Sequence, residues 1–208
     1  MTRIYLVRHG ETAFNDSMRI QGQSNIPLNE KGLKQAQEVG LFFKNLNVQA
    51  VYSSPLKRAY RTAEEIARWH HLPITTLEDL KEICFGQWEG HTCPEIDEIK
   101  PHSWEDFFEH PAYNPIPGGE TLPQVQTRVR KALTAALNNY PSGDIVLAAH
   151  GGVIKVLICS ILGMNLDDIW RVRVLNASTT CFSTYKDKFS LEYTNLHYYL
   201  SECKEMKI

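Results

Sequence analysis

The apolar positions of this chain follow two periods. Unbroken runs, Ile4-Tyr5-Leu6-Val7 and Ile145-Val146-Leu147-Ala148-Ala149, read as strands buried on both faces. Ala50-Val51-Tyr52, Pro73-Ile74-Thr75-Thr76-Leu77 and a last stretch, Thr180 to Tyr185, read as further strands. Helical spacing lies between them. Asn29 is placed to cap a helix whose one face carries Leu33, Ala36, Gly40 and Phe43. Ser54-Pro55 is a start signal for a second helix, with Leu56, Ala59, Ala63, Ile66 and Ala67 as its stripe and His70-His71 near its end. Thr121-Leu122-Pro123-Gln124 resembles a capping box and opens a helix carrying Val125, Val129, Ala132 and Ala136. A long apolar helix, Val153 to Leu162, follows Gly152. Strands alternating with helices predict an α/β fold: three layers, α/β/α, around a mostly parallel central sheet.

One stretch breaks the pattern. Residues 83–119 are rich in proline, aromatics and acids, with a short helix expected around Trp104, Phe107 and Phe108. They read as an excursion over the sheet, with a core or lid role for the aromatics, inside one domain spanning 1–208. No repeat or linker divides the chain.

Composition narrows the partners. A net charge of -2 offers no global basic field, so no nucleic-acid partner is expected. No apolar run is long enough for a membrane span, and the first residues run into a strand without a signal-peptide pattern. Cys84, Cys93, Cys159, Cys181 and Cys203 form an odd, scattered set, which points to reduced thiols and a cytoplasmic location. His91, Cys93, His102 and His110 lack ligand spacing, so no metal is expected. Asn176-Ala177-Ser178 fits a glycosylation acceptor that would stay idle without secretion.

The candidate chemistry sits where two apolar runs end. One runs into Arg8-His9-Gly10-Glu11, the other into His150-Gly151-Gly152. Parallel sheets bind ligands at the carboxyl ends of their strands, so the two histidines can meet at one site. An imidazole attacks phosphorus only with an unprotonated ring nitrogen, and neighbouring arginines favour that state. The same arginines neutralise phosphoryl oxygens. Arg58, in the first turn of its helix, is placed either to bind phosphate or to lie solvated on the surface, and Arg61 could act similarly. The helix after His150 offers free N–H groups to an anion. Phosphoryl transfer also needs a proton donor for the leaving alkoxide. Glu82, expected among apolar neighbours, and Glu11 are both candidates, and chain order does not choose.

These residues resemble the histidine phosphatase superfamily, also called phosphoglycerate mutase-like. Its signature stands here as Arg8-His9-Gly10-Glu11-Thr12. Asn15, Gln21-Gly22 and Pro27 to Gly32 continue that block, and Ser53 to Ala59, Leu80 to Gly90, Pro117 to Thr121 and His150-Gly151-Gly152 match the others. The resemblance implies that His9 is the nucleophile and becomes phosphohistidine. It implies a phosphate pocket of Arg8, Arg58 and His150, with Asn15 and the Gly151 backbone contributing. Glu82 becomes the general acid and base in preference to Glu11, and Gln21 and Gly22 line the pocket entrance. It implies no metal or other cofactor. The expected activity is hydrolysis of a small phosphorylated metabolite by a small bacterial type of phosphatase, on phosphoserine, alpha-ribazole phosphate or a broad range of esters. A cofactor-dependent phosphoglycerate mutase is the alternative, and a non-enzymatic phosphate-binding relative disagrees with the presence of both His9 and Glu82. Oligomeric state is not readable from the sequence; a homodimer enters only by analogy with relatives.

Overall fold

The structure, a computed structural model, describes residues 1–186 and 188–201; Cys203 and the end of the expected 1–208 domain lie outside the described residues. The chain opens with strand β1 (Thr2–Arg8), a one-turn helix α1 (Ala13–Asp16) and helix α2 (Glu30–Phe43). Strand β2 (Val48–Ser53), helix α3 (Lys57–His70) and strand β3 (Ile74–Thr76) follow. The excursion holds two short helices, α4 (Cys93–Ile99) and α5 (Ser103–Glu109). Then come helix α6 (Leu122–Asn139), strand β4 (Gly143–Ala149), helix α7 (Gly151–Leu162) and strands β5 (Thr179–Tyr185) and β6 (Lys188–Leu196).

The six strands form one sheet in the order β3-β2-β4-β1-β5-β6. The four strands from β3 to β1 are parallel; β5 and β6 are added antiparallel. Alternate residues of the apolar runs enter two different cores. Ile4, Leu6, Ile145 and Leu147 meet α6, α7 and the excursion. Tyr5, Val7, Val146 and Ala148 meet α2 and α3. Covering on both faces is why these runs carry no polar position. Each fully buried large apolar side chain, such as Phe43 or Ile66, contributes roughly 1.5–3 kcal/mol through the area it removes from water.

The structure corrects several local expectations. The buried face of α2 is Gly32, Gln35, Ala36, Val39, Gly40 and Phe43, and Leu33 is exposed. The helix turns that face inward because Gly40 rides against α3, where a Cβ would stand 2.3 Å from the Glu65 carbonyl oxygen. Ser54 does not cap α3. The first cap position is Leu56, without a side-chain bond, and the serine hydroxyl is engaged elsewhere. Thr180 to Tyr185 is not the last strand. β6 follows it as an exposed edge whose polar residues hide its period. The expected caps at Asn29 and Thr121 are present, each accepting from the N3 backbone N–H.

Register then sets up the site. Arg8 of β1 stands opposite Ala149 of β4, and Ser53 of β2 opposite Ala148. The residues that follow each strand, His9, His150 and Ser54, must therefore emerge side by side. The chain leaves β1 for α2 on one face and β4 for α7 on the other, which opens a crevice between the two strand ends.

Candidate active site

His9 and His150 are both buried, with ring centroids 5.2 Å apart. The Gly10 carbonyl accepts a hydrogen bond from His9 Nδ1 at 2.6 Å, which assigns the proton to Nδ1. Nε2 then carries the lone pair, and Arg58 Nε donates to it at 3.2 Å. Burial, then the charges of Arg58 and Arg8, hold the His9 pKa well below its ordinary value. Burial is the larger cause, where the sequence pointed to the arginines. The loop carbonyls of His9 and Gly10 are held by the Asn176 amide, at 3.2 and 3.3 Å.

His150 Nε2 lies 2.8 Å from the Ser54 hydroxyl, which also accepts from the Leu56 N–H. With the hydroxyl proton directed at Nε2, the ring's own proton sits on Nδ1. That nitrogen is buried without a partner, as is Arg8 Nε. Buried donors without acceptors are costly in a protein alone. They fit an anion bound between them. The His150 pKa is also held well below normal, by burial first and then by Arg58, His9 and Arg8.

Arg58 is fully buried. Its two terminal nitrogens donate to the carbonyls of Ser24 and Gly22, each at 2.7 Å, which aims Nε at His9. Burial lowers its guanidinium to about 10, so it stays cationic at neutral pH. Of the two readings for this arginine, the surface one is excluded. Gly22 has a φ of +51°, and a Cβ there would meet the Glu89 carboxylate. That carboxylate accepts from the N–H groups of Gln23, Ser24 and Phe85 and thereby fixes the loop that grips Arg58. Gln21 accepts from the Thr12 hydroxyl beside this loop. Arg8 passes over the start of α7, where a Cβ on Gly151 would stand 3.3 Å from its Nε, and one of its terminal nitrogens donates to the Val174 carbonyl. The Asn15 side-chain oxygen accepts from the Thr12 and Asn176 side, leaving its amide nitrogen as the group it can offer an anion.

Glu82 departs from expectation in its surroundings. Its carboxylate lies beside the buried Ile83 side chain but is not left to apolar groups alone. It accepts from the N–H groups of Ile83, Gly152 and Val153 at 2.9–3.1 Å. The N–H groups at the start of α7 that the sequence reserved for phosphate are thus largely taken by Glu82. The same contact holds Glu82 at the start of α7, within electrostatic reach of Arg8 and Arg58. Arg128 reinforces it by donating to the carbonyls of Asp79, Lys81 and Glu82, while Glu120 binds Arg128 and the Cys84 N–H. Glu11 is engaged away from the site, with Lys31 and Asn29. Arg61 pairs with Glu64 and Glu65 and does not reach the pocket.

Sequence reasoning missed Ser54, Asn176, Glu89 and Arg128. The Asn-Ala-Ser motif was noticed for the wrong reason, and Glu89 and Glu120 stood in recognised blocks without a role. Arg128 carries no local signal at all. Among the described residues, no three His, Cys, Asp or Glu side chains gather to hold a metal ion, and no helix is long and apolar enough to cross a membrane. The described cysteines are unpaired.

Known proteins resemble this arrangement over nearly its whole length. The family model for the histidine phosphatase superfamily (branch 1) matches residues 4–197. An uncharacterized phosphatase, PhoE, of Bacillus subtilis is 34% identical over 97% of this chain and 98% of its own. A probable phosphoglycerate mutase, GpmB, of Salmonella choleraesuis is 35% identical over 86% of this chain and 83% of its own. The structure of a mutant phosphoserine phosphatase from Entamoeba histolytica, in complex with phosphoserine, superposes with a TM-score of 0.86 at 31% identity, covering 96% of this chain and 100% of that one.

Proposed function

The chain belongs to the histidine phosphatase superfamily (branch 1), and from that premise we propose that it hydrolyses small phosphomonoesters through a phosphohistidine on His9, without a metal. One observation carries the reading: a buried, unprotonated His9 Nε2 aligned by an arginine and flanked by the partnerless donors of Arg8 and His150.

The steps follow from these positions. The ester's phosphoryl oxygens accept hydrogen bonds from Arg8 Nε and His150 Nδ1, and Arg58 Nε turns from His9 to a phosphoryl oxygen. The freed Nε2 lone pair forms the N–P bond as the P–O bond to the alcohol breaks. Glu82, entering as the acid, gives its proton to the departing oxygen. Now a carboxylate, it takes a proton from water, whose oxygen attacks phosphorus. The N–P bond breaks and His9 returns neutral, with inorganic phosphate released and Glu82 protonated again. The charge of two arginines and the N–H of His150 stand where a metal ion would otherwise stabilise the transition state.

Phosphoserine is the first substrate to try, given the phosphoserine phosphatase relative. Phenyl phosphate with added chelator tests the class. Full activity and a phosphoenzyme that survives base but not acid are expected. Dependence on a divalent ion overturns the metal-free reading. The GpmB relative favours a second reading, in which a sugar-acid hydroxyl rather than water accepts the phosphoryl group. Rapid interconversion of 2- and 3-phosphoglycerate with little phosphate released would replace hydrolysis by that mutase activity.

A further inference from the structure

Lys155 is a cation that the catalytic steps leave unused. It stands on α7 four residues after Gly151, so the two project from the same face of the helix. Gly151 leaves that face open to Arg8. A turn further along, Lys155 is half buried, with its ammonium 4.5 Å from the centroid of the Trp170 ring. Among the described residues no Asp or Glu forms an ion pair with it. Glu82 lies within electrostatic reach, but its carboxylate is held by three backbone N–H groups. Burial and the charge of Arg8 both press its pKa down.

An ammonium drawn partly out of water beside another cation is unfavourable unless an anion joins it. Contact with an aromatic face offsets only about 0.5–2 kcal/mol of that. The aromatic ring beneath the ammonium is fixed in place. Trp170 stacks on Phe108 with ring centroids 5.5 Å apart and touches Trp104 and Phe107, so the ring that Lys155 lies against is itself held by α5 of the excursion. The helix rises about 6 Å over the four residues from Gly151, the reach of a two- or three-carbon hydroxy acid extending from its phosphate.

We infer that Lys155 is a specificity-determining residue that binds a carboxylate on the alcohol portion of the substrate, so that phosphate esters of small hydroxy acids are preferred over uncharged ones. This rests on the phosphatase reading for turnover but not for binding.

Matched pairs test it. Phosphoserine differs from phosphoethanolamine by a carboxylate, and 3-phosphoglycerate carries one where glycerol 3-phosphate has a hydroxymethyl group. The wild type is expected to favour the carboxylated member of each pair by about tenfold or more in kcat/KM, the worth of one charged hydrogen bond. In Lys155→Met that ratio should fall to within about threefold, mostly through KM, and Lys155→Arg should restore part of it. The same pairs are then titrated calorimetrically against His9→Ala and His9→Ala/Lys155→Met. Loss of carboxylate preference in the double variant supports the inference even if no ester is turned over, a result that would sink only the phosphatase reading. No preference in the wild type, or an equal loss on both members of each pair in Lys155→Met, overturns it.

Discussion

The strand ends and the excursion handle histidine in opposite ways. His9 and His150 are buried among cations and held neutral. His102, at the start of α5, is exposed and paired with Glu105, whose hydrogen bond raises its pKa. Backbone register determines the first pair. Their neighbours are strands, carbonyls and helix starts that cannot move without breaking the sheet. The second depends on one side chain three residues away on a short surface helix. Chemistry is built where strand register over-determines the fold, whereas the α5 part of the excursion meets the rest of the molecule through aromatic contacts with Trp170, which constrain composition more than position.

The sharpest way to break this contrast is His9→Ala. If the strand-end imidazole is the nucleophile, kcat falls about 10⁴-fold or more on every ester tried. Acid-labile phosphoenzyme also disappears from a quenched reaction. A retained phosphoenzyme would move the chemistry to another residue.

Glu82→Gln comes next. The loss should be about 10²–10⁴-fold on alkyl phosphates, because both the proton donor and the later base are removed. It should be visibly smaller for phosphorylation by nitrophenyl phosphate, whose leaving group needs no proton. A burst of nitrophenol followed by slow turnover, read in a stopped-flow trace, distinguishes this role. An equal loss on both leaving groups would leave Glu82 as a structural brace for α7 only.

Acid unfolding probes both regions together. Rings with lowered pKa values bind fewer protons folded than unfolded, so stability falls as pH drops below the ordinary value of 6.5. The slope is on the order of 1 kcal/mol per pH unit for each of the two rings. His102 has the opposite sign: its contribution is present below pH 6.5 and is lost as pH rises through its raised folded value. Urea midpoints from pH 7.5 to 5.5 should therefore fall, and more steeply in His102→Gln. A flat profile would mean that the pocket histidines titrate as freely as surface ones.

The smallest effect is Phe108→Ala. This ring is 51% exposed and is stacked on Trp170, so its removal should lower stability by about 0.5–1.5 kcal/mol in denaturant titration. A loss as large as that expected for a buried phenylalanine would make the excursion part of the rigid core.

The strand-end residues were readable early because an apolar run that stops at His-Gly is a local signal, and the second such run doubled it. Arg58 was not settled from spacing, since a helical arginine faces solvent or a pocket according to how α3 is rotated on the sheet. Glu82 was one of two candidate acids by its residues and was preferred over Glu11 only by resemblance, and its hydrogen-bond partners were not legible. The N–H groups that hold it come from Gly152 and Val153, some seventy residues away in the chain. Ser54 looked like a helix cap because Ser-Pro usually marks one, yet its hydroxyl serves His150. β6 escaped notice because an exposed edge strand has little reason to alternate. Arg128 escaped because its acceptors are carbonyls of a distant turn.

By itself the sequence determined the buried strands and long helices and where chemistry gathers, because hydrophobic period, capping residues and glycine turns act over a few neighbouring positions. Tertiary structure alone decided which nitrogen of His9 is free, that Arg58 is aimed at it, and that Lys155 lies half-buried on the Trp170 ring rather than on a carboxylate. Those outcomes depend on register and burial, which are set by distant chain segments meeting in a medium where charge is no longer screened by water.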